Sequence, residues 1–122
     1  MKIGVGYGSA TSFGVAPASL SALGDEGFLI TSSHLSPQVA LCISGARAAP
    51  RGTLYGMQKY LEILGFRFYA YDDTVTPSIT HPLPAFELTH TPTMEFRDGY
   101  GWAALGHLDW TLQARFNWVR GR

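Results

Sequence analysis

Gly45-Ala46-Arg47-Ala48-Ala49-Pro50-Arg51-Gly52-Thr53-Leu54-Tyr55-Gly56-Met57-Gln58-Lys59-Tyr60-Leu61-Glu62-Ile63-Leu64-Gly65 is the stretch on which the fold turns. Apolar side chains fall at Leu54, Met57, Tyr60, Leu61 and Leu64, three and four residues apart. That spacing predicts a helix over 51–64 with one apolar face, leaving Lys59 and Glu62 toward solvent. Pro50 suits the first turn of such a helix, and Gly65 suits the left-handed residue that ends one. Phe66-Arg67-Phe68-Tyr69-Ala70-Tyr71 is strongly aromatic and fits a pleated strand. With a strand at Gln38 to Ser44 ahead of it, the order strand, helix, strand predicts a βαβ unit with a right-handed crossover.

Upstream, Lys2 to Gly6 reads as a short strand entering the glycine-rich turn Gly4-Val5-Gly6-Tyr7-Gly8. Pro17 to Leu23 fits a short helix with proline in its first turn. Phe28-Leu29-Ile30-Thr31 is a compact apolar strand, and the polar loop Ser32-Ser33-His34 leads into the strand from Gln38. Two strands joined by a short polar loop predict an antiparallel pair.

Downstream, the composition shifts at Asp72. Pro77, Pro82, Pro84 and Pro92 mark a long extended connector, broken by a short strand at Phe86-Glu87-Leu88. Met94-Glu95-Phe96-Arg97 reads as one more strand, and a final helix is expected near Asp109 to Phe116. The last residues, Asn117-Trp118-Val119-Arg120-Gly121-Arg122, carry no terminator character and read as stopping mid-fold. The expected class is α/β (α+β), a small sheet with helices packed on it.

Composition narrows the function classes. A chain of 122 residues, 46% hydrophobic and 15% charged, fits one small domain and is not a disordered segment. It is short of the roughly 250 residues of a complete barrel enzyme. Nine basic residues balance nine acidic ones, which argues against nucleic acid as partner, because phosphate binding rests on clustered Lys and Arg. No run of 18 apolar residues is present, so the sequence gives no membrane span. Met1-Lys2-Ile3-Gly4-Val5-Gly6 lacks the apolar core of a signal peptide. The single cysteine, Cys42, excludes an internal disulfide and sits in an apolar run as a small buried hydrophobe.

Most chemistry-bearing residues have a bland reading beside the sharp one. Gly4-Val5-Gly6-Tyr7-Gly8-Ser9, with Asp25 further on, approaches a dinucleotide fingerprint. Its third glycine falls one place early, so a structural turn is expected and no cofactor. His34, His81, His90 and His107 are scattered, with neither a one-turn pair nor a second cysteine, and no metal site is expected. No serine lies in a G-x-S-x-G elbow. Asp25-Glu26, Asp72-Asp73, Glu95 and Asp98 have the chemistry of an acid/base pair, but the two acidic doublets read as turn and strand-end residues. No catalytic residue is assigned. Arg47 and Arg51 flank Pro50, where a helix N-terminus could hold an anion or a sugar hydroxyl. The alternative is that Arg51 pairs with a nearby acid such as Asp25. Arg97 stands beside Asp98, Tyr100 and Trp102. A guanidinium forks onto hydroxyls or carboxylates and aromatic faces stack on sugar rings, so Arg97 is the one candidate substrate-binding residue. A structural ion pair is its other reading.

Three motifs together resemble one family. Arg51-Gly52-Thr53-Leu54-Tyr55-Gly56, continuing through Leu61-Glu62 to Gly65-Phe66-Arg67-Phe68-Tyr69-Ala70, is similar to the signature of the N-terminal domain that precedes the barrel in α-glucuronidases and related β-hexosaminidase-like glycosidases. Leu23-Gly24-Asp25-Glu26-Gly27-Phe28 looks like that domain's L-G-D/P-E-G-F/Y strand. Pro92-Thr93-Met94-Glu95-Phe96-Arg97-Asp98 resembles the segment that opens the catalytic barrel. The resemblance covers residues 23 to 98.

It implies an ancillary, non-catalytic α/β domain over residues 1–90 and the first strand and helix of an incomplete (β/α)8 barrel over 91–122. By the resemblance, Arg97 corresponds to an arginine that grips sugar hydroxyls in β-hexosaminidase-like relatives. The family's partner is carbohydrate, reached through the parent barrel, and the domain braces the rest of its own chain. The strand and amphipathic helix that usually open the family's domain have no counterpart here, and its catalytic carboxylates would lie beyond Arg122. Gly52 and Gly56, one turn apart, would give a smooth face that lets the helix sit close on the sheet, with Tyr55 and Phe68 adding apolar area to the same interface. The competing expectation is a free-standing carbohydrate-binding or scaffolding module, with Arg97, Tyr100, Trp102 and Trp110 as a sugar platform.

Overall fold

The computed structural model describes residues 2–33, 40–78, 85, 87–94, 96–97 and 106–115. In chain order these form strand β1 (Lys2–Val5), helices α1 (Tyr7–Ser12) and α2 (Pro17–Ser21), and strands β2 (Phe28–Ser33) and β3 (Ala40–Gly45). Helix α3 (Pro50–Ile63), strands β4 (Arg67–Ala70), β5 (Asp73–Val75) and β6 (Glu87–His90), and helix α4 (Leu108–Gln113) follow. The protein is a small mixed α/β chain. It divides into one unit of Met1–Tyr60 with Thr80–Pro92, and another of Leu61–Ile79 with Thr93–Arg122.

The first unit is built on a four-stranded sheet in the order β1-β3-β2-β6. β2 pairs antiparallel with β3, as predicted, with Ser32 and Ser33, expected in the loop, continuing the strand; its other edge pairs antiparallel with β6. β1 runs parallel to β3, Val5 opposite Ile43. Successive residues of a strand point to opposite faces, so Cys42 and Ile43 look into different layers. Cys42 joins Ala10 of α1, Leu20 of α2 and Leu23 in one buried cluster, with Tyr7, Phe13, Val15 and Leu29 packed against it. Ile43, opposite Ile30, faces the other way, where α3 lies over it and Phe28. Ile30 and Ile43 are both fully buried. The result is a sheet with helices on both faces.

Helix α1 was not legible as a helix. Its text, Tyr-Gly-Ser-Ala-Thr-Ser, has no apolar period. Thr11 and Ser12 turn their hydroxyls back to the carbonyls of Gly8 one turn earlier, and Ala10 is fully buried. Gly6, at φ 90°, makes the turn from β1 into α1 in a conformation that side chains disfavour. Gly4 supplies the space that the Phe13 ring fills, since a Cβ there would overlap that ring. In α2, Pro17 stands in the first turn after an extended Ala16, the geometry a residue before proline prefers.

Helix α3 spans the predicted residues but presents a different face. Gly52, Tyr55, Gly56, Gln58 and Tyr60 are buried, whereas Leu54 is 38% exposed. Of the expected stripe only Tyr60 is fully inside; Met57, Leu61 and Leu64 are half-buried, and so is Lys59, which had been expected in solvent. The reason is distance. The two glycines let the helix backbone approach the sheet, and that approach selects the face more strongly than the leucines do. A Cβ on Gly56 would stand 2.8 Å from the Ile43 Cγ2 and 3.1 Å from the Phe28 Cβ.

The second unit corrects the βαβ expectation. β4 does not rejoin β3 in a parallel sheet; it forms a separate two-stranded antiparallel sheet with β5, a strand that falls within the expected connector. The register shifts between Phe68 and Ala70, bulging the strand at Tyr69. A further correction concerns the segment expected to open a barrel. Met94, Phe96 and Arg97 take no strand conformation, and Glu95 lies outside the described residues. The final helix is present as α4, although Phe116 lies outside the description.

Gly65 ends α3 as expected, at φ 104°. Its N–H donates to the Glu62 carbonyl and the Phe66 N–H to the Leu61 carbonyl, both at 3.0 Å. These are the two bonds of a Schellman ending. Arg67 adds two more, its Nη1 donating to the carbonyls of Glu62 and Phe66 at 2.6 and 2.7 Å. A cation at a helix C-terminus also complements the negative end of the helix dipole.

Candidate functional site

In the first unit, two of the three sequence motifs meet. Arg51, in the first turn of α3, donates from Nη1 to the Glu26 Oε1 at 3.0 Å, just before β2. The nearby acid that Arg51 meets is thus Glu26, next to the Asp25 named as an example, and both acids lie in the turn that precedes β2. One residue on, the Gly27 carbonyl oxygen fills the space where a side chain on Gly52 would start, and the Gly45 Cα lies 3.3 Å from that same point. A Cβ on Gly45 would in turn come within 2.7 Å of the Thr53 nitrogen. The Gly45 N–H donates to the Thr53 Oγ1 at 2.8 Å, tying the end of β3 to the start of α3. Glu26-Gly27-Phe28 and Arg51-Gly52-Thr53 are thus two sides of one close backbone contact.

Arg47 and Arg51 do not converge on a common point. The Arg47 guanidinium carbon lies 5.9 Å from the centre of the Tyr7 ring, within cation–π range, while Arg51 engages Glu26. Burial pushes up the Cys42 thiol, which is 2% exposed, and it pushes up the Tyr60 phenol too. The thiol is therefore protonated at neutral pH and behaves as the apolar filler expected from its sequence context. His90 lies on β6 against Phe28, ring centres 5.3 Å apart.

In the second unit, Arg97 is half-buried and held by backbone. Its Nε donates to the Arg115 carbonyl at 3.1 Å and its Nη1 to the Met94 carbonyl at 2.5 Å. Arg115 is itself unusual: it sits at φ 60° just past α4, a left-handed position that residues with a side chain rarely occupy. Its guanidinium pairs with the Glu62 carboxylate. Glu62, Arg115 and Arg97 thus form a chain from the end of α3 through the end of α4 to the Met94 carbonyl. No local pattern announces it, because 18 residues separate Arg97 from Arg115. In the same unit, Tyr71 and His107 stack face to face, centroids 3.6 Å apart and planes within 4°.

Asp98, Tyr100, Trp102 and Trp118, with His34 and His81, lie outside the described residues. Trp110 is on α4 and half-buried. Asp25 is exposed in the turn before β2, Asp72 is exposed in the β4–β5 turn, and Asp73 opens β5. The two acidic doublets belong to different units. Among the described residues no three His, Cys, Asp or Glu side chains gather to hold a metal ion, and no helix is long and apolar enough to cross a membrane. Comparison with family models, curated proteins and solved structures finds no match to this chain.

Proposed function

We propose that this chain is the non-catalytic N-terminal domain of a carbohydrate-active glycoside hydrolase, α-glucuronidase- or β-hexosaminidase-like, that braces a catalytic barrel. The barrel would hydrolyse glycosidic bonds in polysaccharide or glycan breakdown, using carboxylates supplied by other parts of the protein. One observation supports the reading. The two motifs that carry the resemblance in the first unit are apart in sequence yet share the Gly27–Gly52 contact and the Glu26–Arg51 pair. A motif pair that serves one interface is what a structural domain needs, and its residues are packing residues, not chemical ones. Arg97 is the residue proposed to reach sugar.

The competing reading is a free-standing carbohydrate-binding or scaffolding module. The coding sequence on either side of these codons decides between them. An open frame running on through strand–helix repeats of barrel length, about 250 residues, with carboxylates at strand ends, is the expected result. The full-length product should then cleave aryl glycosides while residues 1–122 alone should not. A stop codon directly after Arg122 together with a start signal at Met1 would overturn the hydrolase reading.

A further inference from the structure

We draw no further inference here: the strongest candidate, the outer edge of strand β1 at the rim of the four-stranded sheet, where Ile3 and Val5 stand half-exposed, carries nothing because nothing in the structure shows what covers it.

Discussion

The carbonyl oxygen of Gly27 occupies the position from which a side chain on Gly52 would grow. The obstacle is backbone, which cannot rotate aside as a flexible side chain would. Gly52→Ala should therefore destabilise the protein by about 1–3 kcal/mol through overpacking, despite the ~1 kcal/mol by which alanine is the better helix former. Gly8 on α1 is the control, since nothing lies within 4 Å of a Cβ placed there. Gly8→Ala should raise stability by a few tenths to about 1 kcal/mol. Urea unfolding of both variants checks the pair. Equal effects of the same sign would remove the close approach as the reason for glycine at position 52.

Two polar links join the region before β2 and the end of β3 to α3, and they should differ in worth. The Arg51 side chain is 51% exposed and the Glu26 side chain 12%, so the pair is partly screened by solvent, and Glu26→Gln, which keeps the shape, should cost about 1 kcal/mol. Thr53→Val keeps the shape but leaves the Gly45 N–H without its acceptor, which should cost about 1–3 kcal/mol. Raising the salt concentration should shrink the first effect and leave the second. Denaturant midpoints at low and high salt make the comparison. A larger loss from Glu26→Gln than from Thr53→Val would reverse the assignment.

Cys42 should make stability fall at alkaline pH. Its folded-state pKa is raised by burial, so the unfolded chain gives up the thiol proton at lower pH than the folded one. The contribution is intact below the ordinary thiol pKa, about 8.5, and is lost as pH rises above it. Cys42→Val removes the titrating group, and its stability should decline less between about pH 8 and 9.5. The same burial predicts that a thiol reagent labels Cys42 only as fast as the protein opens. Immediate labelling of the folded protein at neutral pH would show the thiol to be accessible.

Arg97 should matter to folding whatever else it does. Lysine keeps the charge but not the planar fork that reaches the Arg115 and Met94 carbonyls from two nitrogens. Arg97→Lys should therefore recover only part of the loss in Arg97→Ala, a loss of about 1–3 kcal/mol. Trp110, on the adjoining α4, is one of the fluorophores that would follow the change. Sugar-binding calorimetry on the full-length protein carrying Arg97→Lys separates a ligand role from a brace. Loss of binding with near-normal stability favours the first, and loss of stability with normal binding leaves only the second.

How much of this was legible depended on the range of the cause. Helix α3 was readable because its period, Pro50 and Gly65 all act within a few residues, and the β2–β3 pair because its loop is short. Helix α1 was not, because Ser, Thr, Ala and Gly carry no period; it is shaped by Phe13 filling the space beside Gly4. The candidate site divides the same way. Arg97 stood out from its neighbours in sequence, but Arg115, which accepts its hydrogen bond, and Glu62, which pairs with Arg115, lie too far along the chain for any local pattern to join them.

The sequence by itself determined the positions of the main strands and of α3, the left-handed stop at Gly65, the buried thiol, and the need for glycine at 52 and 56. Each follows from a local preference or from side-chain size. Tertiary structure alone decided that α3 buries its Gly52–Gly56 face and not the leucine stripe, that β4 pairs with β5 and not with β3, and that Arg51 meets Glu26 and not Asp25. These outcomes depend on how closely backbones approach and on which strand edge is available. Both are properties of segments brought together by folding, and no window of sequence contains them.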